Sequence, residues 1–119
     1  MIIAVDFDGT LCTDEFPNIG EPNISLIKKL QYLSLQGHRL ILWTCRCGDE
    51  LQAALDWCDR QKLFFDAVND NVYEIKTKYE TSGRKVTADV YIDDKAVMPE
   101  DFNSWWLINM GDIADYEML

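Results

Sequence analysis

Two acids, Asp6 and Asp8, stand at the end of a short apolar run, Ile2-Ile3-Ala4-Val5, and lead directly into Gly9-Thr10. A second acid pair, Asp93-Asp94, closes the run Val90-Tyr91-Ile92, and Thr44 closes a third, Leu40-Ile41-Leu42-Trp43. In an extended chain, residues two apart point to one side, so both carboxylates of Asp6-x-Asp8 can face one reacting group. Two carboxylates with separate duties supply a nucleophile and a general acid/base. If the three runs are neighbouring strands, four carboxylates and a hydroxyl meet on one rim. So many anions repel one another, and either some stay protonated or a cation sits among them. Carboxylate, carbonyl and water oxygens are the ligands Mg²⁺ prefers. Gly9 relaxes the steric limits where the chain turns off the strand.

Neither acid motif carries weight alone. An isolated D-x-D is common, and paired acids at a strand end are as often a turn or a helix cap. Their joint placement at two strand ends, with Thr44 at a third, is what points to a site.

The elements that must position these groups follow from the apolar pattern. Unbroken runs at 2–5, 40–44 and 90–92 read as strands buried on both faces, as in a parallel sheet covered by helices. Phe65 to Val68 reads as a short further strand and Trp105 to Ile108 as a fifth. Between them, Ile24, Ile27, Leu30 and Leu33 recur at helical spacing, with Pro22 in the first turn and Gly37 as the stop. Leu51, Ala54, Leu55 and Cys58 repeat likewise behind Asp49 and Glu50, and a short helix is expected over 71–80. Alternating strands and helices predict an α/β fold: a three-layer sandwich around a mainly parallel, five-stranded, Rossmann-like sheet. The whole of 1–119 fits one domain, because domains commonly run ~100–150 residues.

Composition narrows the function. The 119 residues are 48% hydrophobic and 27% charged, which suits a packed chain. Eleven Lys and Arg against 21 Asp and Glu leave a net charge of −10, which speaks against a nucleic-acid or anionic-membrane partner. No apolar run approaches the ~20 residues of a spanning helix, and Met1–Val5 is too short for a secretory signal, so a soluble cytoplasmic protein is expected. The cysteines, Cys12, Cys45, Cys47 and Cys58, lack zinc spacing and read as reduced packing residues. None has an arginine six positions on, as a phosphatase-type cysteine nucleophile requires. There is no G-x-G-x-x-G and no P-loop, and His38 is the only histidine, better suited to a turn beside Gly37 than to a Ser-His-Asp set.

Asp6-Phe7-Asp8-Gly9-Thr10-Leu11 resembles the D-x-D-G-T signature of the haloacid dehalogenase-like superfamily of phosphohydrolases. Thr44 after an apolar strand is similar to that superfamily's second motif, and Tyr91-Ile92-Asp93-Asp94 to its fourth. The resemblance covers about four-fifths of the chain. It implies that Asp6 attacks phosphorus to give an aspartyl-phosphate, while Asp8 protonates the leaving alcohol and then activates water. It implies Mg²⁺ held by the Asp6 carboxylate, the Asp8 backbone carbonyl and Asp93, with Asp94 behind them. Thr44 and nearby N–H groups would bind phosphate oxygens. The third motif's lysine has three candidates, Lys76, Lys78 and Lys85, of which Lys85 is the choice.

Family members usually carry a cap domain, yet only about a dozen residues separate Gly9 from Pro22 and fewer than about twenty separate Asn71 from Ala88. The resemblance is therefore to the capless subgroup, whose open site implies a large substrate or a lid from another subunit of a homo-oligomer. Trp105, Trp106, Leu107 and the tail Tyr116–Leu119 could contribute to such an interface, but burial of the tryptophans in the fifth strand is the preferred role. Arg46 either reaches a substrate anion or lies on the surface. The expected activity is Mg²⁺-dependent hydrolysis of a small phosphorylated metabolite. The alternative is a non-hydrolytic phosphoacceptor or binding module resembling a receiver domain, with Asp70 after the third strand as the acceptor. Assigning four acids to the site leaves 17 against 11 bases, so the remaining surface is still acidic and a polynucleotide substrate is disfavoured.

Overall fold

The computed structural model describes residues 1–78 and 85–111. In chain order the elements are β1 (Ile2–Val5), α1 (Ile24–Leu35), β2 (Arg39–Leu42), α2 (Gly48–Arg60), β3 (Ala67–Val68), α3 (Tyr73–Lys78) and β4 (Val90–Ile92). A 3₁₀ turn at Pro99–Asp101 then leads into α4 (Phe102–Met110). The strands form one sheet in the order β3-β2-β1-β4 with every pairing parallel, so this is an α/β fold.

The two-sided burial expected of the apolar runs has a direct cause in β1. Ile3 and Val5 enter a core shared with Ile27 and Leu30 of α1 and with Ala54, Trp57 and Cys58 of α2. Ala4 enters a second core with Ile41, Val72 and Val86. Alternate residues thus meet apolar partners on both faces, and no polar face survives in the sequence. Phe7, fully buried, extends the first core beyond the strand and meets Trp57 edge to face, with ring centroids 5.5 Å apart.

Parallel register levels the strand ends. Val5 lies beside Leu42 on one side and Ile92 on the other. The Asp6 N–H extends the second ladder by donating to the Ile92 carbonyl at 2.9 Å, and the Trp43 N–H donates to Val5 at 2.8 Å. The chain steps from β1 to β2 to β3 on one side and returns to β4 on the other. The crevice beyond the carboxyl ends at such a reversal is where ligands bind in open α/β sheets.

Three expectations change. Helix α1 begins at Ile24, with the Asn23 side chain accepting from the Leu26 N–H, whereas Pro22 lies before the cap and bridges Cys12. The third strand is the two-residue β3 rather than 65–68.

The third change is larger: among the described residues the sheet has four strands, not five, and 105–108 lies inside α4. Pro99, Glu100 and Asp101 in the 3₁₀ turn that leads into α4 and Gly111 at φ +79° past its end are helix start and stop signals, and they outweigh a short apolar run. The tryptophans are only half-buried, and Ile108 is 83% exposed. The tail 116–119 lies outside the described residues.

No described helix is long and apolar enough to cross a membrane. All four cysteines are free, with Cys12 and Cys58 in the core, where burial pushes the Cys58 thiol up to about 12.

These placements separate two apolar residues of similar size. Leu40→Ala, in the core on β2, is expected to cost about 2–5 kcal/mol, and Ile108→Ser to stay within about 0.5 kcal/mol. Urea denaturation of both variants checks this; a cost of several kcal/mol at Ile108 would return 105–108 to the core.

Candidate active site

Beyond the ends of β1, β2 and β4 lies an open pocket of about 380 Å³, lined by Asp6, Asp8, Asp14, Phe16, Thr44, Cys45, Arg46, Asp93, Asp94 and Lys95. Five of the six residues marked by the motifs therefore meet at one place. One carboxylate oxygen from each of Asp6, Asp93 and Asp94 lies within 4.8 Å of the others. Burial, and then the charge of Asp93, push the Asp6 carboxyl up to about 6 from its ordinary 3.8.

Local hydrogen bonds hold this crowd in place. The Thr10 hydroxyl donates to Asp6 Oδ2 and accepts from the Asp94 N–H, both at 3.1 Å, so one buried side chain links the two acid motifs. Asp93 Oδ1 accepts from the Lys95 N–H at 2.9 Å. Gly9 has φ +85°, and a Cβ there would stand 2.2 Å from Asp94 Oδ2. Both the backbone conformation and the close approach of Asp94 thus require glycine.

Asp8 has a different environment. Its Oδ2 accepts from Arg46 Nε and its Oδ1 from Arg46 Nη2, each at 2.8 Å. Arg46, left open between a substrate contact and the surface, is neither: it is 3% exposed. Its guanidinium carbon lies 5.0 Å from the ring centroids of both Phe7 and Phe16. Thr44 lines the pocket as expected, and its hydroxyl oxygen accepts from the Arg46 N–H at 3.1 Å.

The lysine expectation is corrected. Lys85 does not line the pocket; its ammonium lies 5.3 Å from the centre of the Tyr91 ring. It precedes β4 and so enters at the amino end of the strand, whereas the pocket lies beyond the carboxyl ends. Lys76 is ion-paired with Asp70, and the Lys78 side chain lies outside the described residues. Among the described residues the lysine lining the pocket is Lys95, outside the set the motifs mark, and its position directly after Asp93-Asp94 is the available signal. Thr10 sits inside the first motif, and only the fold reveals its link to Asp94.

A solved structure of a conserved protein from Bacteroides thetaiotaomicron is similar to this chain, with 37% identity and a TM-score of 0.72. The match covers 94% of this chain and 92% of the other. This chain belongs to that protein's family. No protein-family model and no curated protein matches the chain.

The electrostatics set a pH dependence. With Asp6 at about 6 in the folded chain against 3.8 ordinarily, the folded state binds this proton more tightly. Its favourable contribution is complete below about pH 4 and is lost as pH rises through about 6. Asp93→Asn removes the second cause of the shift while keeping an oxygen for the Lys95 N–H. In chelator-treated protein, the melting temperature of this variant relative to wild type is expected to rise between pH 4.5 and 7.5. Calorimetry across that range checks it, and a flat difference would show that Asp93 does not load Asp6.

Proposed function

We propose that this chain is a Mg²⁺-dependent phosphomonoester hydrolase of the haloacid dehalogenase-like superfamily, built as a single capless three-layer domain over 1–119. The observation that carries the reading is the convergence of Asp6, Asp93 and Asp94 within 4.8 Å beside Thr44. The donor set is all oxygen, the ligand type that Mg²⁺ prefers. Asp6 and Asp93, with the Asp8 carbonyl, would hold Mg²⁺, and Asp94 stands close enough to join them. When bound, the ion would offset the carboxylate and phosphate charge.

The chain's own groups have distinct duties in this reaction. The Asp6 carboxylate attacks phosphorus, with Thr10 fixing one of its oxygens. Asp8 passes a proton to the departing alcohol and later takes one from water. The Thr44 hydroxyl and Lys95 bind phosphate oxygens, Lys95 taking the duty expected of Lys85. The pocket's size suits a small phosphorylated substrate. The receiver-like alternative is weaker, since Asp70 is paired with Lys76 and does not line the pocket.

Hydrolysis of an aryl phosphate is expected only with Mg²⁺ present. Asp6→Asn is expected to lower kcat by at least about 10³-fold, because nucleophile and metal ligand go together. Added Mg²⁺ is also expected to raise the melting temperature of wild type more at pH 7.5 than at pH 5, where protons compete for Asp6. Turnover that persists in chelator, or in Asp6→Asn, would refute the reading.

A further inference from the structure

We propose that Arg46 is the positioning residue for Asp8, a role that rests on the hydrolase reading above. All five N–H donors of its guanidinium are engaged. Nε and one Nη2 hydrogen bind the two oxygens of Asp8, and the second Nη2 hydrogen binds the Asn18 carbonyl at 2.9 Å. Nη1 binds the carbonyls of Pro17 and Glu50, each at 3.2 Å. No donor remains for a substrate. One buried cation therefore ties together the Asp8 carboxylate, the loop through Pro17 and Asn18, and the first turn of α2.

A bidentate pair fixes the carboxylate plane while using about one lone pair on each oxygen. The remaining lone pairs stay open to a proton, and the Asp8 side chain is 18% exposed beside the pocket. Lysine offers a point charge on a flexible stem and could not impose that plane or reach the same carbonyls together. Arg46 thus sets the direction from which Asp8 delivers its proton.

The step that needs this direction is cleavage of the ester. An Asp6 oxygen bonds to phosphorus, the bond from phosphorus to the alcohol oxygen breaks, and its electron pair stays on that oxygen. The oxygen takes the proton from the Asp8 carboxyl. Water then attacks the aspartyl-phosphate and gives a proton to Asp8, and phosphate leaves with the Asp6 carboxylate restored. An alkyl alcohol needs that first proton; a nitrophenolate leaves without it. Misplacing Asp8 must therefore harm the two esters unequally.

The test compares glycerol phosphate with nitrophenyl phosphate in the full chain with Mg²⁺, using kcat/KM because it covers the steps up to ester cleavage. Arg46→Met is expected to lower the alkyl-to-aryl ratio about tenfold or more, a partial loss of the roughly 10²–10⁴-fold that general acid catalysis contributes. Asp8→Asn should shift the ratio in the same direction, and Arg46→Lys should fall between Arg46→Met and wild type. A ratio reports the active fraction only, so partial unfolding does not imitate the result. Equal losses on both esters in Arg46→Met and Arg46→Lys, complete loss included, would overturn the proposal and leave Arg46 a purely structural clamp. Wild type inactive on both esters would instead remove the hydrolase reading, and this inference with it.

Discussion

Like charges placed side by side must be held by something other than each other. Here the holding force is the burial of β1 between two apolar cores, which fixes its pairing with β4. Val5 beside Ile92, and the Asp6 N–H on the Ile92 carbonyl, bring Asp6 level with Asp93 and Asp94. Hydrophobic free energy gained deep in the sheet opposes electrostatic repulsion at its rim. The Thr10 hydroxyl and the bare Cα of Gly9 then decide how closely the acids approach.

Two carboxylates from one strand end receive opposite treatment. Asp6 stands among acids with its carboxyl raised, while Asp8 is matched oxygen by oxygen to a buried guanidinium. Divergent environments for neighbouring acids are how one fold obtains two chemical roles from one residue type. The division arises from geometry alone, since Arg46 comes from β2's trailing loop and Asp93 from the end of β4.

Much of this was legible because the relevant signals are local. Apolar runs ending in acids reveal strands and their carboxyl ends, and parallel alternation predicts that those ends share a rim. Thr44 and the four acids do line one pocket. The misses have physical reasons. Trp105 to Ile108 is apolar enough for a strand, but its caps lie outside the run, at Pro99 and Gly111. Sequence order relative to the acids points to Lys85, whereas the pocket depends on which end of a strand a residue occupies. The buried role of Arg46 is neither of the two the sequence offers, because its partners, Asp8, Pro17, Asn18 and Glu50, come from three separate segments. No local pattern records a side chain whose donors are distributed that way.

The parallel register also has a consequence in time. Thr10 and Asp94, joined by a hydrogen bond, stand 84 positions apart in the chain. Closing so long a loop is an entropic debt that only the docking of β4 along β1 repays. Until that strand arrives, Asp6 and Asp8 belong to a half-made sheet with no opposing acids. The pocket is therefore complete only once β4 has paired with β1, and a chain without that pairing carries Asp6 and Asp8 without Asp93 and Asp94.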